Sequence, residues 1–192
     1  MNEHNQLSKN DATSAPLPPE IKAMIRVNQA GEYGATRIYA GQLAILGKST
    51  IGTTLKEMEA QEQEHLRVFN DLCVEKDVAP TIFQPLWHVG GYIMGAATAL
   101  LGEKAAHACT IAVEEVIADH YQDQLVKLEL LEIRDGNRYN NLQETISKFR
   151  AEELEHKKHA ELEGGRQAPG YDLITGTIKA ISKAAIWLST RG

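Results

Sequence analysis

Residues 142–160, LQETISKFRAEELEHKKHA, decide the fold. Leu142, Ile146, Phe149 and Ala160 recur at helical spacing and mark the face such a helix buries. Glu153 and His156 share that face. A carboxylate among core side chains costs several kcal/mol unless it is paired or metal-bound. Upstream the pattern repeats. Leu55, Met58, Leu66, Phe69 and Cys73 form an apolar stripe, and Glu62 and His65 stand on it. These are the only two Glu-x-x-His pairs in the chain. Their neighbours Glu64 and Glu152 fall on polar faces and read as solvated.

Working outward, two further helices are expected to answer these two. From Ile21 to Lys56 the only acid is Glu32, inside Ala30-Gly31-Glu32-Tyr33-Gly34-Ala35, where small residues let another group approach closely. Further along, Ile111, Ile117, Ala118, Tyr121, Leu125 and Leu128 surround the face of Glu114, whereas the face of Glu115 carries Asp119 and Gln122. Glu114 is therefore the inward acid. The chain reads Glu, Glu-x-x-His, Glu, Glu-x-x-His, one motif in two similar halves. One carboxylate from each of two helices, with a Glu-x-x-His from each of two others, is the ligand set of a di-iron or di-manganese bundle. Two divalent cations neutralise four carboxylates, which explains how a core can hold them.

The rest of the chain agrees with a helical bundle. Helices are expected at about 20–47, 50–76, 86–135 with a break near Gly102, 137–164, and after Gly170. Gly47, Asp135-Gly136 and Gly164-Gly165 act as stop signals. No strand-like alternation persists. The fold class expected is all-α: an antiparallel, ferritin-like bundle. Residues 1–19, with Pro16-Leu17-Pro18-Pro19 at their end, read as a disordered or extended lead-in, and 20–192 as one domain. The N-terminus has neither the apolar segment of a signal peptide nor the arginines of a transit peptide.

Composition sets the class of partners. The chain has 192 residues, 43% hydrophobic and 24% charged, with a net charge of −6. That suits a globular domain and argues against nucleic acid, which needs a basic face. Cys73 and Cys109, the only cysteines, read as small core residues and cannot make a thiolate zinc site.

Three segments carry a family resemblance: Arg26-Val27-Asn28-Gln29-Ala30-Gly31-Glu32-Tyr33-Gly34-Ala35, Ala112-Val113-Glu114-Glu115 with His120-Tyr121, and Glu152-Glu153-Leu154-Glu155-His156. From about Ile25 onward the chain resembles the demethoxyubiquinone hydroxylases, the di-iron monooxygenases of ubiquinone biosynthesis. The family's metal ligands match Glu32, Glu62, His65, Glu114, Glu153 and His156. The resemblance implies two iron ions, O₂ and a polyprenyl methoxy-benzoquinol substrate, an electron donor that the sequence does not name, and room for a partner protein of the same pathway. Tyr121 lies two turns beyond Glu114 on the same face. It is the candidate for a catalytic role, lining the site or relaying electrons.

Two features point to a membrane surface. From Val78 to Gly102 there is no Asp, Glu, Lys or Arg, long enough for a span. A span would put Glu32, Glu62 and His65 on one side of the bilayer and Glu114, Glu153 and His156 on the other. The segment is therefore expected in the core or the interface. After Gly170, Ile174, Ile178, Ile181, Ala185 and Leu188 form a stripe. Arg166, Lys179, Lys183 and Arg191 outnumber Asp172, and Trp187 stands near the end. The expected location is peripheral, on the cytoplasmic side of a bacterial cell membrane or the matrix side of a mitochondrial inner membrane. The rival readings are a ferroxidase or other iron-handling relative of ferritin, which needs the ligands but no apolar route, and a non-enzymatic membrane adaptor with a structural metal.

Overall fold

The computed structural model describes residues 16–191. Among them there are six helices and no strand: α1 (Pro19–Leu46), α2 (Gly52–Glu75), α3 (Gln84–Leu100), α4 (Glu103–Asp135), α5 (Asn140–Leu162) and α6 (Tyr171–Ser189). Of the expected lead-in, residues 1–15 lie outside the described residues. Leu17 packs against the core, and Pro16 accepts a hydrogen bond from Arg138 through its carbonyl. Pro19 opens α1, where its missing N–H costs nothing.

The break expected near Gly102 separates α3 from α4. Gly102 has φ +107°, a conformation that side chains disfavour, so the helix cannot run through it. A short 3₁₀ turn, Asn137–Tyr139, precedes α5. Cys73 and Cys109 are buried and free.

Helices α1, α2, α4 and α5 surround the core. Asn28 and Gln124 exchange two amide hydrogen bonds, and Gln42 donates to the Ala106 carbonyl, so α1 runs antiparallel to α4. His156 lies against Gln61 and His65 against Glu152, so α2 runs antiparallel to α5. The first half of α4 is buried all round from Ala105 to Glu114, and its alanines admit neighbours on every side.

Helix α3 lies along α1, backbone close to backbone. A Cβ on Gly95 would stand 1.9 Å from the Ile38 carbonyl oxygen, and one on Gly41 would stand 2.2 Å from that of Tyr92. Helix α6 crosses α4 and α1 on the same side. Its expected stripe is only partly covered: Ile178 is buried, while Ile174, Ala185 and Leu188 are half-buried and Ile181 is exposed. Ile178, Ile181 and Ala185 of the stripe line an apolar groove of about 510 Å³ between α1, α3, α4 and α6. Leu66 of α2 is likewise only half-buried, at the edge of its stripe.

The charge count on α6 needs correction. Lys179 is not a free surface cation. It pairs with Glu115, which also holds Lys157 of α5 at 2.9 Å, so Glu115 ties α5 and α6 to α4. Arg166 pairs with Glu161 at 2.6 Å. Lys183 and Arg191 stay exposed, and the Arg191 guanidinium lies 3.9 Å from the Trp187 ring centre. No described helix is long and apolar enough to cross a membrane.

The α1–α3 contact makes a test. Gly95→Ala forces a methyl into the α1 backbone and should lower stability by about 1–3 kcal/mol, read as a fall in denaturant midpoint. Gly90→Ala meets nothing within 4 Å and should be neutral or stabilising by about 0.5–1 kcal/mol. Equal effects of the two would contradict the close approach.

Candidate metal centre

All six residues singled out by the sequence pattern come together in the middle of the bundle. Glu32, Glu62 and Glu153 are 0% exposed, Glu114 and His65 1%, and His156 4%. They form two overlapping groups, each with ligand atoms within 4.8 Å of one another. One is Glu32, Glu62, His65 and Glu153; the other is Glu62, Glu114, Glu153 and His156. Glu62 and Glu153 belong to both. The two Glu-x-x-His motifs thus supply the shared carboxylates and one histidine to each side, while α1 and α4 supply the outer carboxylates.

Histidine geometry fixes which nitrogen faces inward. His65 Nδ1 stands 3.0 Å from Glu153, 3.6 Å from Glu32 and 3.9 Å from Glu62. His156 Nδ1 stands 3.0 Å from Glu62 and 3.5 Å from Glu153. The outward Nε2 atoms have other partners: Glu152 Oε2 at 2.9 Å for His65, and Gln61 Oε1 at 2.9 Å for His156. The solvated reading of Glu152 is therefore wrong. Its side chain is 23% exposed and bends inward, because the antiparallel packing of α2 and α5 brings His65 opposite it. Glu64 is outward as expected, paired with Arg67 at 2.6 Å.

Two tyrosines close the ring. Tyr121 donates to Glu32, and Tyr39 donates to Glu114 Oε1 at 2.7 Å. Sequence reasoning missed Tyr39, although it stands as far beyond Glu32 as Tyr121 stands beyond Glu114. That shared spacing was the available signal.

The charge balance shows what is wanting. Glu32 Oε2, both oxygens of Glu62, Glu114 Oε2, Glu153 Oε2 and His156 Nδ1 are buried and make no well-aligned hydrogen bond, although His65 and His156 stand at ion-pair distance from Glu32, Glu62 and Glu153. Among the described residues, no lysine or arginine pairs with any of the four carboxylates. Four carboxylates faced by only two imidazoles leave buried negative charge under-compensated, and such charge costs several kcal/mol per group. Histidine and carboxylate donors, with no thiolate, suit iron or manganese. The residues present fit a pair of divalent cations.

Comparison with known proteins places the chain. The family described as Ubiquinone biosynthesis protein COQ7 matches residues 19–189, and the chain belongs to that family. It is 49% identical over 172 residues to a 3-demethoxyubiquinol 3-hydroxylase of Rhodospirillum rubrum, covering 89% of this chain and 78% of that protein. It is 47% identical over 171 residues to the NADPH-dependent 3-demethoxyubiquinone 3-hydroxylase, mitochondrial, of Rattus norvegicus, covering 89% and 77%. The 5-demethoxyubiquinone hydroxylase, mitochondrial, of Saccharomyces cerevisiae is 42% identical over 181 residues, covering 89% and 78%.

Proton linkage gives the centre a pH signature. Burial, then repulsion from Glu153 and Glu114, holds Glu62 well above the ordinary carboxylate value of 4.5. Burial and then Glu153 do the same to Glu114, and burial raises Glu153. Burial opposes protonation of His65, but Glu153 and Glu32 outweigh it and push the ring up to about 12. Without metal, the cluster as a whole keeps protons that the unfolded chain gives up. Their stabilisation is full below pH 4.5 for the carboxylates and below 6.5 for His65, and is lost as pH rises through the raised values. Cations displace those protons. The gap in Tm between Mn²⁺-loaded and metal-free protein should therefore widen from about pH 5.5 to about pH 8. A flat or narrowing gap would contradict the linkage.

Proposed function

We propose that the chain is a ferritin-like di-iron monooxygenase that hydroxylates the ring of a polyprenyl demethoxyubiquinol with O₂, at a membrane surface. The observation that carries this reading is the conjunction of two features. Buried carboxylates with no lysine or arginine partner among the described residues stand beside an open apolar groove. Val113 and Ile117 line the groove next to Glu114, and Gly31 and Ala35 line it next to Glu32. A ferroxidase or a structural metal site has no use for such a route. The names of the relatives support the quinol ring as substrate, and the rat protein's name supports NADPH as the electron source.

Iron held by Glu32, Glu62, His65, Glu114, Glu153 and His156 supplies O₂ activation when bound. The chain's residues do the rest. Glu62 and Glu153 belong to both ligand groups and would offer an oxygen to either. Tyr39 and Tyr121 each hold a phenolic proton against an outer carboxylate and so fix its orientation. The groove takes the quinol ring and the first part of its tail and keeps water from the reacting carbon. Its lining supports entry from lipid: Leu86 and Ile93 of α3 and Ile181 of α6 are exposed apolar side chains, as are Val89 and Trp187 on the same two helices. Together with Lys183 and Arg191 they favour peripheral binding to an anionic surface.

With two ferrous ions, a reductant, ¹⁸O₂ and a reduced demethoxyquinone, the product should gain one labelled oxygen. His65→Ala and His156→Ala should each abolish it with helix content largely kept, as read by circular dichroism. Ferrous oxidation without labelled quinone, across several prenyl lengths, would move the reading to a ferroxidase.

The groove has its own test. A Cβ on Gly31 would meet nothing within 4 Å, and Gly31 lines the groove. Gly31→Leu should keep Tm and metal content but lower kcat/KM for long-tailed quinols by at least about tenfold, an effect of about 1.4 kcal/mol. Unchanged kinetics would exclude the groove as the substrate route.

A further inference from the structure

The centre is built from like pairs contributed by the two halves. Glu32 answers Glu114, Tyr39 answers Tyr121, Glu62 answers Glu153, and His65 answers His156. The contacts cross between halves in the same way. Tyr39 binds the acid of α4 and Tyr121 that of α1. One pair breaks the match. The residue before each motif glutamate supports the outward nitrogen of the opposite histidine. In α2 that residue is Gln61, a neutral amide; in α5 it is Glu152, a carboxylate.

We infer that Glu152 makes the two cation positions unequal: the position served by His65 binds a divalent cation more tightly than the one served by His156. The inference rests on the metal-centre reading and concerns this chain's own residues. With Nδ1 given to a cation, His65 would carry its proton on Nε2, which stands 2.9 Å from Glu152 Oε2 and so in place to donate to it. An imidazole that donates to a carboxylate is a stronger ligand than one that donates to an amide, and such outer partners change metal affinity by about 10–100-fold. The arrangement is held in place. The His65 ring stacks on Phe149, with centroids 4.0 Å apart. Lys148 reaches Glu152 at 3.8 Å, but it is 66% exposed, so its charge is screened by water. Glu152 is thus a positioning residue that acts through His65, and the ligand sets alone would make the two positions alike.

Calorimetric titration with Co²⁺ alone tests this, because it reads affinity without turnover. Wild-type protein should fill in two steps. His156→Ala should retain the tighter step and His65→Ala the weaker one. In the His156→Ala background, Glu152→Gln should weaken the remaining step by about 10–100-fold. Glutamine keeps the size and the acceptor oxygen, so a merely structural role would not respond. In the His65→Ala background, Gln61→Glu should tighten the remaining step by a similar factor, and Glu152→Gln should leave it unchanged. Effects below about twofold for both substitutions, or an equal loss from Glu152→Gln in both backgrounds, would overturn the inference, given the expected range. If wild-type protein takes up no Co²⁺ at all, the metal-centre reading itself fails and this inference falls with it.

Discussion

Four glutamates in the middle of an apolar bundle, with no lysine or arginine to answer them among the described residues, set the terms for the rest of the structure. Their desolvation works against the fold unless protons or cations offset it. Each surrounding feature answers that demand. Two histidines turn Nδ1 inward, two tyrosines donate from the sides, and Gln61 and Glu152 hold the histidines from behind. Apolar packing of α1, α2, α4 and α5 keeps the ring together. Phe69, Ile111, Leu128 and Ile146 are completely buried around it.

The two remaining helices do different work. Helix α3 binds α1 through glycines, which lets backbones touch without side chains between them. Helix α6 is tied to α4 by Lys179 and Glu115. Neither carries any of the six candidate ligands. Between them and the bundle lies the groove, so the same two helices that add apolar surface also frame it. In the proposed function, substrate access and membrane contact are one construction.

Much of this was legible in the residues. The helix count, the break at Gly102 and the six inward groups follow from periodicity and from acids standing on apolar faces, since a helix has one buried side. What stayed hidden depends on relations between helices. Glu152 lies on the polar side of its own helix, and only the antiparallel partner brings His65 to it. Lys179 counts as a surface charge until α6 is seen beside Glu115. The sharing of Glu62 and Glu153 between two ligand groups is a three-dimensional fact that spacing cannot express. Tyr39 is different: its spacing from Glu32 repeats that of Tyr121 from Glu114, and it was there to be read.

The central claim is that the carboxylate cluster exists to hold two cations. Anomalous diffraction at the iron edge from crystals of the ferrous-loaded protein tests it most directly. The account predicts two peaks per chain, about 3.5–4 Å apart, with Glu62 and Glu153 each touching both and His65 and His156 each touching one through Nδ1. A single peak, or iron bound outside these six residues, would contradict it.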